Sequence, residues 1–372
     1  MKTKNNFYIE KKAKTYLEQV EERELEINRR LKIPLDNQRK ISDYEGKSKD
    51  YWIKYNRAKT SEKTMFYMLL DELLEIIPQP SNSNGRPPVP VRDLIFCACL
   101  KLYNGFSARR IKSDLDHAFK MGFIEKTPHF NTLLNFMKDK STSDILKYLI
   151  TFSAMPLSAI EDSFAMDASG FGSYQYERWM RTRFSKGSEK GWRNYVKLHI
   201  NVGIKTHIIT AGEVTYGNTH DTTQLPYLVK QTSANFNAKK YMADKAYSSR
   251  RNFEIISELN ALPIIPFKSN ASGKKNGCPI WSAMYNFFNN NQIEFKYHYG
   301  QRAQSESTFS QIKRNFGEFL KMKTFDGQKN EVLLKCICHN ISCLVNELFQ
   351  RKIKIDFDCY ADKIITCENE AI

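Results

Sequence analysis

The sequence predicts an α/β protein in which a mixed β-sheet with helices on its faces follows an all-α N-terminal region. Before residue 160 the apolar pattern is helical, strand patterns begin near Ser163, and strands then alternate with helices. The 372 residues are enough for two or three domains. No run reaches the roughly 18 apolar residues of a membrane helix, and the N-terminus lacks the apolar core of a signal peptide, so we expect a cytoplasmic protein.

The charge balance indicates a polyanionic partner. The chain has 57 basic and 41 acidic side chains, a net charge of +16. An excess of this size in a folded, aromatic-rich protein favours nucleic acid, but it does not separate DNA from RNA or an enzyme from a passive binder. The eight cysteines contain no CxxC pair and are expected to be reduced. Cys336, His339 and Cys343 could share a helical face as a metal site, although their apolar neighbours favour a buried helix.

The N-terminal part consists of a helical region and a linker. The charged region 1–77 includes amphipathic helical patterns over 12–31 and 61–77. Residues 78–92 are a linker by composition, rich in proline, glycine and serine. Arg86 in this linker could lie in a DNA minor groove, or the segment could be only a stiff spacer.

The segment 93–160 carries short helical patterns that fit a helix-turn-helix-like DNA-binding region. One of its helices is basic and includes Arg109 and Arg110, and a glycine-containing turn and another helix follow it. Any small helical bundle would show the same pattern, so a purely structural role stays open. The predicted helices span 93–103, 108–120, a stretch from Asn131, and 141–153.

Strand patterns dominate the following segment, 161–350, which we interpret as the catalytic domain. Its glycine- and lysine-rich loop 185–193 could cover a site against a phosphate backbone through Lys186, Lys190 and Arg193, or could be a solvated loop. The predicted strands are 164–167, 194–204, 207–216, 240–244 and 262–267. The predicted helices are 221–231, 248–259, 281–289, one from Tyr299 to beyond Lys313, and 330–349, and a peripheral tail, 351–372, closes the chain.

Three carboxylates are candidates for a common site. Asp167 and Asp244 each end an apolar strand pattern, and Glu306 lies on a helix after the last strand. Neighbouring strands expose reactive groups at one edge of an open sheet. Converging acids are costly unless cations neutralise them, and two Mg²⁺ or Mn²⁺ ions would do so while activating a water or 3′-hydroxyl. Strand-end aspartates also cap turns, and Asp162 and Asp221 are rivals for the two positions.

The helix that carries the glutamate has cations on the same stripe. Arg302, Glu306 and Lys313 are spaced i, i+4 and i+11 if one helix runs through them. The alternative is an ordinary amphipathic surface helix whose Arg–Glu pair contributes only ~0.3–0.5 kcal/mol.

These motifs resemble the DDE transposases of bacterial and archaeal insertion sequences, in the subgroup marked by Tyr-(2)-Arg-(3)-Glu-(6)-Lys. Tyr299, Arg302, Glu306 and Lys313 fit that spacing at every position. The blocks around the two aspartates, Met-Asp-Ala-Ser-Gly-Phe and Met-Ala-Asp-Lys-Ala-Tyr, are similar to the corresponding blocks of the family. The similarity runs from about Gly85 onward through the last three-quarters of the chain.

The resemblance implies an RNase H-like catalytic fold, dependence on Mg²⁺ or Mn²⁺, and cleavage and joining of DNA at an element's terminal inverted repeats. It also implies target DNA as a second substrate, a homodimer in the synaptic complex, and a location at the prokaryotic nucleoid. The implied metal ligands are Asp167, Asp244 and Glu306, and the implied DNA contacts are Tyr299, Arg302 and Lys313.

One departure from the family concerns the spacing of the acids. Only about sixty residues separate Asp244 from Glu306, whereas some relatives insert there a β-rich domain that supports a hairpin intermediate. Two other functions stay open on the same fold, a DNA-binding regulator and a nuclease that cuts without rejoining.

Overall fold

The computed structural model describes residues 49–78, 88–173 and 195–360. Several predictions concern segments outside these residues. They are the helix 12–31, the linker residue Arg86, the loop residues Lys186, Lys190 and Arg193, and most of the tail 351–372.

The described residues form an α/β fold of eleven α-helices and five strands, as the sequence predicts. The helices are α1 (Lys49–Leu74), α2 (Val91–Tyr103), α3 (Lys112–Lys120), α4 (Phe130–Lys138), α5 (Thr142–Ala154), α6 (Leu225–Asn235), α7 (Arg250–Glu258), α8 (Pro279–Asn290), α9 (Gln292–Gly300), α10 (Ala303–Phe316) and α11 (Phe325–Arg351). The strands are β1 (Ser163–Gly172), β2 (Tyr195–Gly203), β3 (Ile209–Tyr216), β4 (Lys240–Ala243) and β5 (Leu262–Ile264).

The sheet is mixed, in the order β3-β2-β1-β4-β5. The first three strands form an antiparallel meander, and β4 and β5 add to β1 in parallel. The helices α6 and α7 supply the crossovers that parallel strands require. The predicted mixed sheet with helices on its faces is therefore confirmed.

Several helix boundaries differ from the sequence expectation, most clearly those of α1 and α6. The helix predicted over 61–77 starts earlier in the structure, where α1 begins at Lys49 and ends at Leu74. The expected helix 221–231 is a short 3₁₀ turn, Asp221–Thr223, followed by α6, which begins at Leu225. A proline in the first turn of α6 explains the later start, because proline suits the beginning of a helix.

The long helix α11 is the centre of the core. It is long and apolar enough to cross a membrane by composition, but 78% of its most apolar window is buried within the fold. It packs on α2, α4 and α5 of the helical region and also on β3 of the sheet. Asn340 on α11 binds both the N–H (2.9 Å) and the C=O (2.8 Å) of Ile209 at the start of β3.

The cysteine and histidine face of α11 is buried, as the apolar neighbours indicate. His339 Nε2 lies 2.9 Å from the carbonyl oxygen of His207 and 3.3 Å from Sγ of Cys343. Burial lowers the pKa of His339 to about 4, so this imidazole is neutral at pH 7. It packs as a core residue.

Candidate active site

The strand register aligns the two predicted aspartates. β1 and β4 run parallel, and Met166 lies opposite Ala243. The residue that follows each of them is an aspartate, Asp167 after Met166 and Asp244 after Ala243. β4 ends at Ala243, one residue before the predicted end, so Asp244 directly follows the strand. The expectation that Asp167 also ends its strand is wrong. Asp167 is the fifth of ten residues in β1, because β2 pairs with β1 well beyond it.

Both carboxylate oxygens of Asp167 accept hydrogen bonds. Oδ1 accepts the backbone N–H of Ala168 at 2.9 Å. Oδ2 accepts Nη1 of Arg302 at 3.1 Å and the hydroxyl of Ser305 at 3.4 Å. Helix α10, which carries Ser305, packs on β1, so these contacts fix the aspartate between the sheet and the helix.

The pKa of Asp167 is raised above its ordinary value. Burial is the largest cause, and the charges of Glu306 and Asp244 raise it further. The Ala168 N–H and the Arg302 guanidinium act in the opposite direction without cancelling the rise. The three acids predicted from the sequence therefore act on one another electrostatically.

The carboxylate of Asp244 bonds to the backbone of the turn that follows it. Its Oδ1 accepts the N–H of Ala246, and it caps the 3₁₀ turn Lys245–Tyr247. Turn capping is the alternative that the sequence analysis leaves open for this residue, and Asp244 plays that part here. Because Asp244 follows the last residue of β4, its carboxylate still lies at the edge where β1 and β4 separate.

The predicted continuous helix from Tyr299 to Lys313 is wrong. α9 ends at Gly300 and α10 begins at Ala303, with Arg302 as the N-cap. The residues between the helices keep helical backbone angles, and for that reason the side-chain spacing looks like one helix.

Arg302 bridges two of the acids. It donates from Nη1 to Asp167 and from Nη2 to Oε1 of Glu306. The arginine and aspartate side chains are only 18% and 22% exposed, whereas that of Glu306 is 59% exposed. The glutamate is thus held at the solvent edge of the site through the guanidinium.

The donor chemistry of these acids fits a divalent cation, although they are not arranged as ligands. Within residues 49–78, 88–173 and 195–360, no three His, Cys, Asp or Glu side chains form a group that could hold a metal ion. The guanidinium of Arg302 occupies the position between Asp167 and Glu306 that a metal ion bound by both acids would need. Carboxylate oxygens are the ligands that Mg²⁺ and Mn²⁺ prefer. A cation bound by both acids therefore requires Arg302 to withdraw.

The other two residues of the predicted Tyr-Arg-Glu-Lys set contact β1 and Arg302. Lys313 Nζ donates to the hydroxyl of Ser169 on β1 at 2.9 Å and lies 5.1 Å from the ring centroid of Phe171. Burial lowers the pKa of Lys313. The Tyr299 ring centroid is 5.7 Å from Cζ of Arg302.

The two rival aspartates have other partners. Asp221 pairs with Lys197 at 2.9 Å and lies 3.6 Å from Nδ1 of His199, a fully buried imidazole. Burial lowers the pKa of His199 to about 4, outweighing the opposite effect of Asp221. Asp162 lies just before β1 and pairs with two surface lysines.

A buried tyrosine beside the acids is not singled out by the sequence analysis. Tyr247 ends the turn that Asp244 caps, and its side chain is fully buried. Burial raises the pKa of Tyr247 well above its ordinary value, and the charges of Asp221, Asp167 and Asp244 add to the rise. The phenol is therefore protonated at neutral pH. Its position at the end of the Met242-to-Tyr247 block is the only sequence signal for it.

The predicted DNA contacts of the helical region lie before α3. Arg109 is stacked over the ring of Phe130 at 4.3 Å, and Arg110 over that of Phe106 at 4.8 Å. Both arginines are exposed. Stacking occupies the faces of the guanidinium rather than its N–H donors, so the donors keep their geometry for phosphate.

A shallow groove of about 490 Å³ lies on the outer face of α10 beside the site. Small and polar side chains line it, with a carboxylate toward one end and a guanidinium toward the other. The lining residues are Ala303, Glu306, Ser307, Ser310, Gln311 and Arg314.

The mixed sheet, with an acid on β1, another after β4 and a third on α10, defines an RNase H-like domain of the DDE class. Residues 159–341 match the family described as transposase DDE domain, a span that includes all three acids and most of α11. No solved structure matches the chain at a significant level. Residues 159–341 therefore belong to the transposase DDE domain family.

Proposed function

We propose that this protein is a transposase that cleaves DNA at the terminal inverted repeats of an insertion sequence and joins the ends to target DNA. In this proposal Asp167, Asp244 and Glu306 are the catalytic residues and hold divalent metal ions. The main support for this proposal is that Arg302 bridges Asp167 and Glu306. Two acids held this close need a cation between them.

The metal ions in the proposal are Mg²⁺ or Mn²⁺, two per site, held by the same three acids. Such a pair supplies an activated hydroxyl nucleophile and neutralises the charge on the leaving oxygen. The protein contributes the rigid part of the site. Asp167 is fixed by Ala168 and by packing of α10, whereas Glu306 is at the solvent edge, where DNA has access.

In the proposed reaction, Arg302 binds either the two acids or a DNA phosphate, but not both at once. Paired with Asp167 and Glu306, its guanidinium lowers the repulsion between the acids. With divalent ions held by the acids, the same guanidinium would be free to bind two oxygens of a phosphate with charge-assisted, bidentate geometry. Lys313 and Tyr299, which lie near β1 and Arg302, would contact the same phosphate region.

We assign the wider DNA interface to basic side chains along the chain. In the groove on α10, Glu306 and Arg314 are eight positions apart, which is about 12 Å along a helix. The helical region 93–160 adds Arg109 and Arg110, and the excess of basic residues favours phosphate contacts throughout. The further proposed contacts are Arg86, Lys186, Lys190 and Arg193. The proposal includes a homodimer that holds two element ends.

A cleavage and joining assay tests this function. The substrate is duplex DNA that carries the inverted repeats found beside the coding sequence, incubated with the full chain and Mg²⁺. We expect nicking and strand joining by the wild type and by Glu258→Gln, an exposed acid at the end of α7, and neither reaction with Asp167→Asn, Asp244→Asn or Glu306→Gln. Cleavage by Asp244→Asn at the wild-type rate would remove that residue from the site, and cutting without joining would favour a nuclease.

A further inference from the structure

Lys240, the first residue of β4, reaches from the sheet to the junction between α9 and α10. Its Nζ donates to Oε1 of Gln301 at 3.0 Å and lies 3.4 Å from Nδ1 of His298. His298 is in the last turn of α9, and Gln301 directly precedes Arg302, the N-cap of α10. One ammonium group therefore contacts both the end of α9 and the residue that leads into α10.

The histidine is an acceptor in this contact. Burial, together with the charge of Lys240, lowers the pKa of His298 to about 4. The imidazole is therefore neutral at pH 7 and can accept a hydrogen bond at Nδ1. Both groups that face the lysine at the junction are thus acceptors.

The strand end of this contact is rigid, whereas the junction is not. Lys240 pairs with Ser163 of β1 on one side and with Leu262 of β5 on the other, so its backbone is held within the sheet. Arg302 makes no side-chain cap bond as the N-cap of α10, and the ends of helices are the parts that fray. A hydrogen bond from a paired strand to the junction consequently limits how far the junction can move.

The other contacts that join α10 to the sheet begin at Arg302 or after it. Arg302 bonds Asp167 at 3.1 Å in the middle of β1. Lys313 bonds Ser169 at 2.9 Å, further along the same strand. Lys240 fixes the chain on the other side of Arg302, through the residue that precedes it.

We propose that Lys240 is a positioning residue for Arg302, whose guanidinium it keeps in place for phosphate by holding Gln301. The inference rests on the proposed function, in which Arg302 binds a DNA phosphate when the acids hold divalent ions. A guanidinium binds phosphate with bidentate geometry only when both donors meet their oxygens, so a small shift of its backbone weakens the contact. Lys240 is half-buried and directed at the junction, so it acts through Arg302 and not on DNA directly.

A double-mutant cycle on DNA affinity tests the inference. The wild type, Lys240→Met, Arg302→Gln and the double variant, all full-length, are titrated by fluorescence anisotropy with Mn²⁺ present, against a short duplex that already ends at the inverted repeat. We expect Lys240→Met to bind this DNA about tenfold more weakly than the wild type, as when one charge-assisted hydrogen bond is weakened. In the Arg302→Gln background the same substitution should cost less than about twofold, because a residue that acts through Arg302 then has nothing to position.

Lys239→Met is the matched control for the loss of a positive charge. Lys239 is the exposed neighbour of Lys240 and pairs with Asp162. We expect this variant to bind DNA as the wild type does. The melting temperature of each variant is measured as well, and if Lys240→Met does not fold, Gln301→Met takes its place in the cycle, since it removes the acceptor without changing the charge.

The outcomes that contradict the inference differ from the failure of the proposed function. If Lys240→Met weakens DNA binding equally in the presence and absence of the Arg302 guanidinium, or does not weaken it at all, the positioning role is overturned while the proposed function stands. If Arg302→Gln itself binds DNA as tightly as the wild type, the phosphate contact in the proposed function fails, and the inference fails with it.

Discussion

Arg302 donates to Asp167 across 3.1 Å, although 135 positions separate them in the chain. The contact joins α10 to the middle of the sheet, and the same guanidinium also binds Glu306. A fixed cation between two acids neutralises them as a metal ion would, and it must be displaced before a metal ion can enter. The first prediction follows from this competition.

Arg302→Gln is expected to bind Mn²⁺ more tightly than the wild type in the absence of DNA, by about tenfold, or about 1.4 kcal/mol. A close ion pair at an effective dielectric constant of 20 is worth at most ~4 kcal/mol, and the exposure of Glu306 reduces this. The same variant should bind DNA more weakly when metal is present. Calorimetric titration measures the first effect and fluorescence anisotropy the second.

The control for this prediction is Arg314→Gln, an exposed arginine on the same helix. It should leave Mn²⁺ affinity unchanged. A fall in Mn²⁺ affinity of Arg302→Gln would mean that the arginine organises the ligands instead of competing with the metal.

Lys313 gives a prediction about salt dependence. Replacing it by glutamine should lower the slope of log K against log salt concentration for DNA binding by about 0.9, because one phosphate contact is lost. The half-buried ammonium is already directed by Ser169, so little rearrangement is needed to meet a phosphate near β1. Lys230→Gln, at an exposed position of α6, is the control. Equal slopes for wild type and Lys313→Gln would remove the phosphate contact from the proposal.

The sequence predicts the sheet and the end of β4 well because the signals are local. β4 is an apolar run followed by Asp244 and a turn, and these features follow from neighbouring residues. The place of Asp167 within its strand depends on pairing with β2, which is distant in the chain, and no local pattern contains it. The break between α9 and α10 before Ala303 also leaves no sequence signal, because the side-chain spacing stays helical through it.

The ion pairs of the site depend on how the helices pack on the sheet, so they are harder to predict from sequence than the strands and helices are. The spacing of Arg302 and Glu306 indicates an ion pair on one helix, but the third member, Asp167, joins only when α10 packs on β1. The unpaired hydroxyl of Tyr247 depends on what surrounds it in three dimensions. The sequence therefore indicates candidate acids and cations but not the arrangement that packing gives them.

Asn340 should be essential to the stability of the fold. Besides its pair of bonds with Ile209, its Nδ2 donates to the carbonyl oxygen of Ile150 (3.1 Å) and to Oγ of Ser153 (2.9 Å). Asn340→Ala leaves buried backbone groups without partners and opens a cavity, so we expect a loss of about 2–4 kcal/mol in the free energy of unfolding. Urea denaturation measures it. Asn346→Ala removes a side chain that donates to its sequence neighbour Glu347, and this variant should lose less than about 1 kcal/mol.

His199 is expected to make the protein less stable in mild acid. Its pKa is lowered from 6.5 to about 4 in the folded state, mainly by burial. Below pH 6.5 the unfolded chain binds a proton that the folded chain does not, so stability falls as the pH drops from 6.5 toward 4 and this contribution is constant below that. The single histidine accounts for about 2 kcal/mol between pH 7 and pH 5.

Urea denaturation of His199→Gln at pH 7 and pH 5 measures this contribution. The variant should be less stable than the wild type at pH 7, because the bond of His199 Nε2 to Thr215 (2.9 Å) is disturbed, but it should lose about 2 kcal/mol less on going to pH 5. Thr215→Val keeps the imidazole and removes only its partner, so it should be destabilised while retaining most of the wild-type pH dependence. If His199→Gln and the wild type lose equal stability between the two pH values, the imidazole is not the group that titrates. The acid sensitivity would then be assigned to other groups, such as the half-buried His298 and the buried His339, whose pKa is also lowered to about 4.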